Sequence, residues 1–219
     1  MTAEMLDLES VMQALASERR VFHSEADFQH ALAWKIRERN PDAKIRLEVP
    51  SGRFDKRERI DIVVNVCGRK YAIELKYKKR KLKLVLGDEE FSLRADGAHD
   101  ISRYDFVKDI VRLERYVASE DGTTGYAILL TNDDLYWKES VRGVNSAAFF
   151  LHEGRTLESD GALTWHERTG SGTKKNREEP LSLRARYKIG WKDYSTIPEL
   201  QSSKFRYILL AVTSARAAA

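Results

Sequence analysis

The chain predicts an α/β domain, a mixed sheet flanked by helices. Three observations point there: two amphipathic stretches with helical spacing, apolar-alternating segments between them joined by a short Gly-containing turn, and a continuous apolar run after the second helix. Alternation of period two marks a half-buried strand, and apolar residues at i, i+3 or i+4 mark a helix. With 219 residues, 42% hydrophobic and 33% charged, the chain is long enough to bury a core.

The elements follow in order. Met5, Leu8, Met12 and Leu15 form one stripe over residues 3–17 and predict an amphipathic helix that packs on the domain. A second helix is expected within "HSEADFQHALAWKIRERN", with Ser24 as N-cap, Asp27 as the capping acid, and Phe28, Leu32 and Ile36 as the buried stripe. It ends before Asn40-Pro41. "AKIRLEV" reads as a strand, followed by a polar loop from Ser51-Gly52 to Glu58, and then by the hairpin "RIDIVVNVCGRKYAIELKYKKRK". "LVLGDEEFSLRADGAHD" carries turn residues and no clear period. Residues 101–118, with Phe106, Ile110, Leu113 and Val117 in register, predict a helix laid on a sheet, and "GYAILLT" predicts a buried strand. Beyond it, "SAAFFLHEG" reads as a strand and "TGSGTKKNREEP" as a loop. Leu181 to Trp191 alternate apolar with Ser182, Arg184, Arg186 and Lys188, and "FRYILLAVT" closes the fold as a strand. The chain thus divides into an N-terminal helix over 1–21, a core over 22–131, and a β-rich extension of the same domain over 132–219.

The hairpin carries the chemistry. A two-residue loop at Gly68-Arg69 pairs Cys67 with Lys70, Val63 with Glu74 and Asp61 with Lys76, which gathers Asp61, Glu74 and Lys76 on one face. Two acids side by side repel, and burying them uncompensated costs several kcal/mol each. A divalent cation removes that cost. Mg²⁺ takes one or two carboxylates and completes its shell with water and substrate phosphates, so this pattern points to phosphodiester chemistry. The plain alternative is an exposed sheet face with an Asp61–Lys76 ion pair worth about 0 to 1 kcal/mol.

Asp61, followed by Glu74-Leu75-Lys76 on the next strand, resembles the PD-(D/E)XK nuclease superfamily. The flanking elements resemble its restriction-endonuclease-like core, α-β-β-β-α-β, over residues 22–131. The resemblance implies a Mg²⁺-dependent nuclease, with Mn²⁺ able to substitute, acting as an endonuclease on DNA first among nucleic acids. It makes Asp61, Glu74 and Leu75 the metal ligands, Lys76 the residue that positions water, and Glu25 the supporting acid from the first core helix. Ile60 stands where the family often has proline. Glu48 is a lesser candidate, and Arg103 or Lys108 could reach the site from the second core helix. The run Lys78, Lys79, Arg80 and Lys81, and the face of Arg184, Arg186 and Lys188, are candidate phosphate contacts, each with a solvated strand face as its plain reading. The alternative function is a nuclease-like fold that binds nucleic acid or serves assembly without cutting. A homodimer is one way such an enzyme reaches both strands.

Other classes have nothing to stand on. One cysteine excludes an internal disulfide, and the five histidines lack metal-ligand spacing. No P-loop, zincin or nucleophile-elbow motif occurs, so no nucleotide cofactor is expected. With no membrane-length apolar run and no leader pattern, a cytoplasmic protein is expected.

Overall fold

Two capped helices open the domain. The computed structural model describes residues 5–51, 58–140, 144–197 and 203–214. Asp7 caps α1 (Leu8–Glu18) by accepting the Ser10 amide, and Ser24 caps α2 (Glu25–Arg39) by accepting the Asp27 amide at 3.1 Å, each satisfying a donor that the first turn leaves open. Leu8, Met12 and Leu15 are buried as their spacing predicts, whereas Met5 precedes the helix and is exposed. Of the loop expected from Ser51 to Glu58, residues 52–57 lie outside the described residues.

The strands β1 (Lys44–Pro50), β2 (Arg59–Val66) and β3 (Arg69–Lys78) form an antiparallel meander. After it come a hairpin of β4 (Leu82–Leu86) and β5 (Glu89–Leu93), the long helix α3 (His99–Ser119), and β6 (Thr123–Thr131), which pairs parallel with β3. A parallel neighbour needs a long crossover, and α3 provides it. The periodless stretch before α3 contains the β4–β5 hairpin, which turns at Gly87, where φ is +63°. Two-residue bridges β7 (Thr156–Leu157), β8 (Ala162–Leu163), β9 (Leu181–Ser182) and β10 (Tyr187–Lys188) and the one-turn α4 (Ser171–Lys174) follow. The long strands β11 (Trp191–Ile197) and β12 (Ser203–Val212) complete a sheet of order β1-β2-β3-β6-β12-β11.

The sheet buries both faces. On one side, α1, α2 and the β4–β5 hairpin cover Ile62, Val64, Ile73, Leu75 and Tyr77; on the other, α3 and the segments from Phe149 to Trp191 cover Val63, Ala72, Ala127 and Leu129. The C-terminal third therefore supplies two strands and a covering layer to one domain. "SAAFFLHEG" is not a strand. Its first part is 3₁₀ helix, which lets Phe149 pack edge-on against the rings of Tyr104 and Trp165. Leu181 to Trp191 keeps its buried–exposed alternation but is no continuous strand, because the buried Glu114 carboxylate takes the Arg184 and Ala185 amides and bends the chain there.

The hairpin register differs from the expected one by two residues. Cys67 and Gly68 form the turn with φ +52° and +72°, so Val66 pairs with Arg69, Val63 with Ala72 and Ile62 with Ile73. A two-residue loop with positive φ at both positions matches the twist of its strands, and glycine serves it in the second place rather than the first. A two-residue shift keeps each side chain on its face over the paired stretch, from Ile62 to Val66 and from Arg69 to Ile73. Asp61 now counts opposite Glu74 instead of Lys76.

Candidate active site in the gap between two strands

β2 and β3 part company at the acids. Their backbone pairing ends at Ile62–Ile73, and the β1–β2 pairing skips Glu48 and Asp61. Glu48 is left-handed, φ +52°, and the amide of Gln29 on α2 fills the break by donating to Glu48 Oε1 and to the Asp61 carbonyl, both at 2.8 Å. The alternation of β2 breaks there too: Ile60 packs on the α3 side, away from Ile62.

Beyond Ile73 the amides of β3 that would face β2 need other acceptors. Carboxylates supply them. Asp61 Oδ2 accepts from the Leu75 amide at 2.7 Å, Glu25 Oε2 from Tyr77 at 2.8 Å, and Asp96 Oδ2 from Lys79, just past the strand, at 2.9 Å. The gap thus collects Asp61 from β2 and Glu25 from the first turn of α2.

Glu74 is 1% exposed and points toward α3. Arg112 grips it with a two-pronged fork, Nε to Oε1 at 2.7 Å and Nη2 to Oε2 at 2.6 Å, and also donates to Asp109 Oδ1 at 2.7 Å. The Lys76 ammonium lies 2.8 Å from Asp109 Oδ2. Asp109 and Arg112 were not legible as site residues. Their only signal is an acid–base pair three apart on the polar side of a helix, a common surface pattern.

Four carboxylates, those of Glu25, Asp61, Glu74 and Asp109, thus share the gap with two cations, Lys76 and Arg112. Their proton affinities reflect burial first and the neighbouring charges second. Burial pushes Asp61 up to about 6, against the pull of Lys76 and the Leu75 amide. Burial, reinforced by Asp109 and Asp61, holds Glu74 well above the usual carboxylate range despite the Arg112 fork. For Lys76, burial works against the charge, but Asp109, Glu25 and Asp61 outweigh it and raise its pKa. Lys76 therefore stays protonated at neutral pH and can donate but cannot act as a base.

An open cleft of about 350 Å³ leads to Lys76, Asp109 and Arg112, with Arg59 and Lys108 on its walls. Lys108 reaches the site. Arg103 does not: it donates to the Leu135 carbonyl and lies over the Tyr136 and Phe150 rings. Among the described residues no group of three or more His, Cys, Asp or Glu is placed to hold a metal. Mg²⁺ needs fewer, because one or two carboxylates suffice when water and phosphate complete the shell. Asp61, Glu74 and the Leu75 carbonyl, which accepts Lys76 Nζ at a long 3.4 Å, fit in donor type, and a cation would relieve the cost of burying the two acids together. The fork of Arg112 on Glu74 is what a metal would displace.

The basic candidates divide. Lys79 pairs with Asp96 and Arg80 with Asp134, whereas Lys78 and Lys81 carry no ion pair among the described residues. Arg186 pairs with Glu158, and the Arg184 amide is held by Glu114. Glu114 lies two residues from Arg112, about 200° around the helix, so Arg184, Arg186 and Lys188 sit across α3 from the gap and do not converge on it. No helix is long and apolar enough to cross a membrane among the described residues. Compared with family models, curated proteins and solved structures, the chain matches none.

Proposed function

We propose that this chain is a metal-dependent nuclease on a restriction-endonuclease-like core, acting as an endonuclease, on DNA first among its possible substrates. One observation carries the reading: Asp61, Glu74 and Lys76 meet where β2 leaves β3, with Glu25 and Asp109 beside them, at the end of a cleft that Lys76, Asp109 and Arg112 line. The element order α2-β1-β2-β3-α3-β6, with β3 parallel to β6 and a helix on each face, supports it.

Asp61, Glu74 and the Leu75 carbonyl would hold the Mg²⁺, or Mn²⁺ in its place. Bound there, the ion would polarise the scissile phosphodiester and acidify a water. Asp61 is fixed for this by the Leu75 amide on one oxygen, and its side chain also meets that of Glu74, its partner as a ligand. Lys76, permanently charged, orients the attacking water and offsets negative charge on the phosphate as it builds up. Glu25 accepts the next free amide along β3, that of Tyr77, and keeps the Lys76 charge in place. Lys78 and Lys81 are the members of the basic run left to meet the backbone phosphates. Incubation of plasmid and linear DNA with Mg²⁺ or Mn²⁺ is expected to give cleavage that Asp61→Ala and Lys76→Ala abolish. Cleavage by both variants at the wild-type rate sinks the proposal.

The Arg112 fork favours a second reading, a nuclease-like module that binds nucleic acid or serves assembly without cutting. There Arg112 permanently replaces the metal on Glu74. Salt-dependent binding with no metal uptake and no cleavage would select it.

A further inference from the structure

Away from the acidic gap, α2 turns one more face outward. His30, Ala33, Trp34 and Arg37 fall at i, i+3, i+4 and i+7 and form one wall of a groove of about 500 Å³ whose other wall is Ala43 and the start of β1, to Leu47. Trp34 is 75% exposed, whereas Trp165 and Trp191 are buried. Ile45 and Leu47 give the groove an apolar floor, and Arg37, Lys44 and Arg46 give it a cationic rim. None of these three cations forms an ion pair among the described residues, and no acid lines the groove. Arg37 and Arg46 donate to main-chain carbonyls, of Ala43 and Ile45, which fixes the guanidinium groups without cancelling their charge.

A wide aromatic face beside unpaired cations suits a nucleic-acid strand: any base has a π-face to stack, and its phosphates meet the rim. Addition of a protein strand to the open edge of the sheet suits it less. β1 is kinked by the left-handed Glu48 and ends in Pro50, both of which interrupt edge-to-edge pairing. One helix, α2, serves both the groove and the gap. Gln29, next to His30, is the residue that bridges α2 to Glu48 and Asp61, and Trp34 lies five residues on, about 8 Å along the axis.

We infer that the α2–β1 groove binds single-stranded nucleic acid, with an unstacked base on Trp34 and phosphates on Arg37, Lys44 and Arg46. That this strand is the substrate rests on the nuclease reading; the binding itself does not. A strand held here is frayed, flapped or otherwise unpaired close to the cleavage site.

The test uses the full chain in EDTA, so that cleavage plays no part, with fluorescein-labelled oligo-dT, oligo-rU and a blunt DNA duplex of equal length. Anisotropy is expected to show tighter binding to one or both single strands than to the duplex, with quenching of the exposed tryptophan. Trp34→Ala should weaken single-strand binding by about 5- to 100-fold at unchanged thermal stability. Lys44→Gln with Arg46→Gln should lower the slope of log affinity against log salt by about 1.4. Unchanged affinity in Trp34→Ala, or equal loss on duplex and single strand, overturns the inference. So does quenching by polyglutamate but not by oligonucleotide, or a dimer on size exclusion that Trp34→Ala breaks, since these assign the groove to an acidic protein or to a second copy. Retained single-strand binding with no cleavage in Mn²⁺ would leave this inference standing and remove the nuclease reading. Cleavage with unaltered binding in Trp34→Ala would do the reverse.

Discussion

Replacing Asp61 with Asn should make the metal-free protein more stable while removing cleavage. Asn resembles the protonated acid and keeps an oxygen for the Leu75 amide. Asp61 has a folded pKa of about 6 against 3.8 for a free aspartate, so the folded state holds an extra proton between those values. Wild-type stability therefore falls as pH rises from about 4 through about 6 and levels off above, and the Asn variant lacks that fall. A shift of about two units at about 1.4 kcal/mol each sets the gain near 3 kcal/mol at pH 7, about 1.5 kcal/mol at pH 5 and close to zero at pH 3. Urea unfolding in EDTA at the three pH values measures it. A gain independent of pH, or a wild type more stable than the variant at pH 7, would falsify the claim that this carboxylate is held in an electrostatically unfavourable place. Added Mn²⁺ should then stabilise wild type and leave Asp61→Asn unmoved.

Three more substitutions separate scaffold from site. Arg112→Met strips Glu74 of its fork and should lower stability in EDTA by about 3 kcal/mol, yet enlarge the rise in Tm on adding Mn²⁺; a Mn²⁺ response equal to wild type refutes competition between Arg112 and metal. Glu114→Ala leaves the Arg184 and Ala185 amides and the Tyr187 hydroxyl without their acceptor and should cost roughly 2–4 kcal/mol with metal binding untouched. A changed metal affinity would mean that the far side of α3 does communicate with the gap. At the hairpin, Cys67→Asn puts a residue tolerant of left-handed backbone where φ is +52° and should stabilise by about 0.5 kcal/mol, read as a shift in urea midpoint at constant slope.

What could be read from the chain was what period and capping govern. Ser24 and Asp27 fixed the start of α2, and the 3.6-residue stripe from Phe106 to Val117 fixed α3, because apolar burial and orphan amides constrain those positions locally. The faces of the hairpin followed as well from Ile62 onward, since a shift of two leaves them unchanged, but Ile60 lies on the other side. Its exact pairing did not. That depended on which of two adjacent positions glycine takes in the turn, a choice of backbone dihedrals that a hydrophobic pattern does not encode. Asp109 and Arg112 stayed hidden for a different reason: their importance comes from which strand α3 crosses, a property of tertiary packing. Leu181 to Trp191 misled because a buried acid from α3, rather than a neighbouring strand, takes its amides.

The open side of β3 has a consequence for how this protein tolerates change. Its carboxylates are seated by main-chain amides at 75, 77 and 79, which exist whatever side chains those positions carry. Leu75 and Tyr77 are thus free, as far as the acids are concerned, to drift among nineteen residue types, whereas Lys79 also holds Asp96 through its ammonium. Proline alone lacks the amide, so a single Pro at 75 would unseat Asp61 while leaving every acid in the sequence intact.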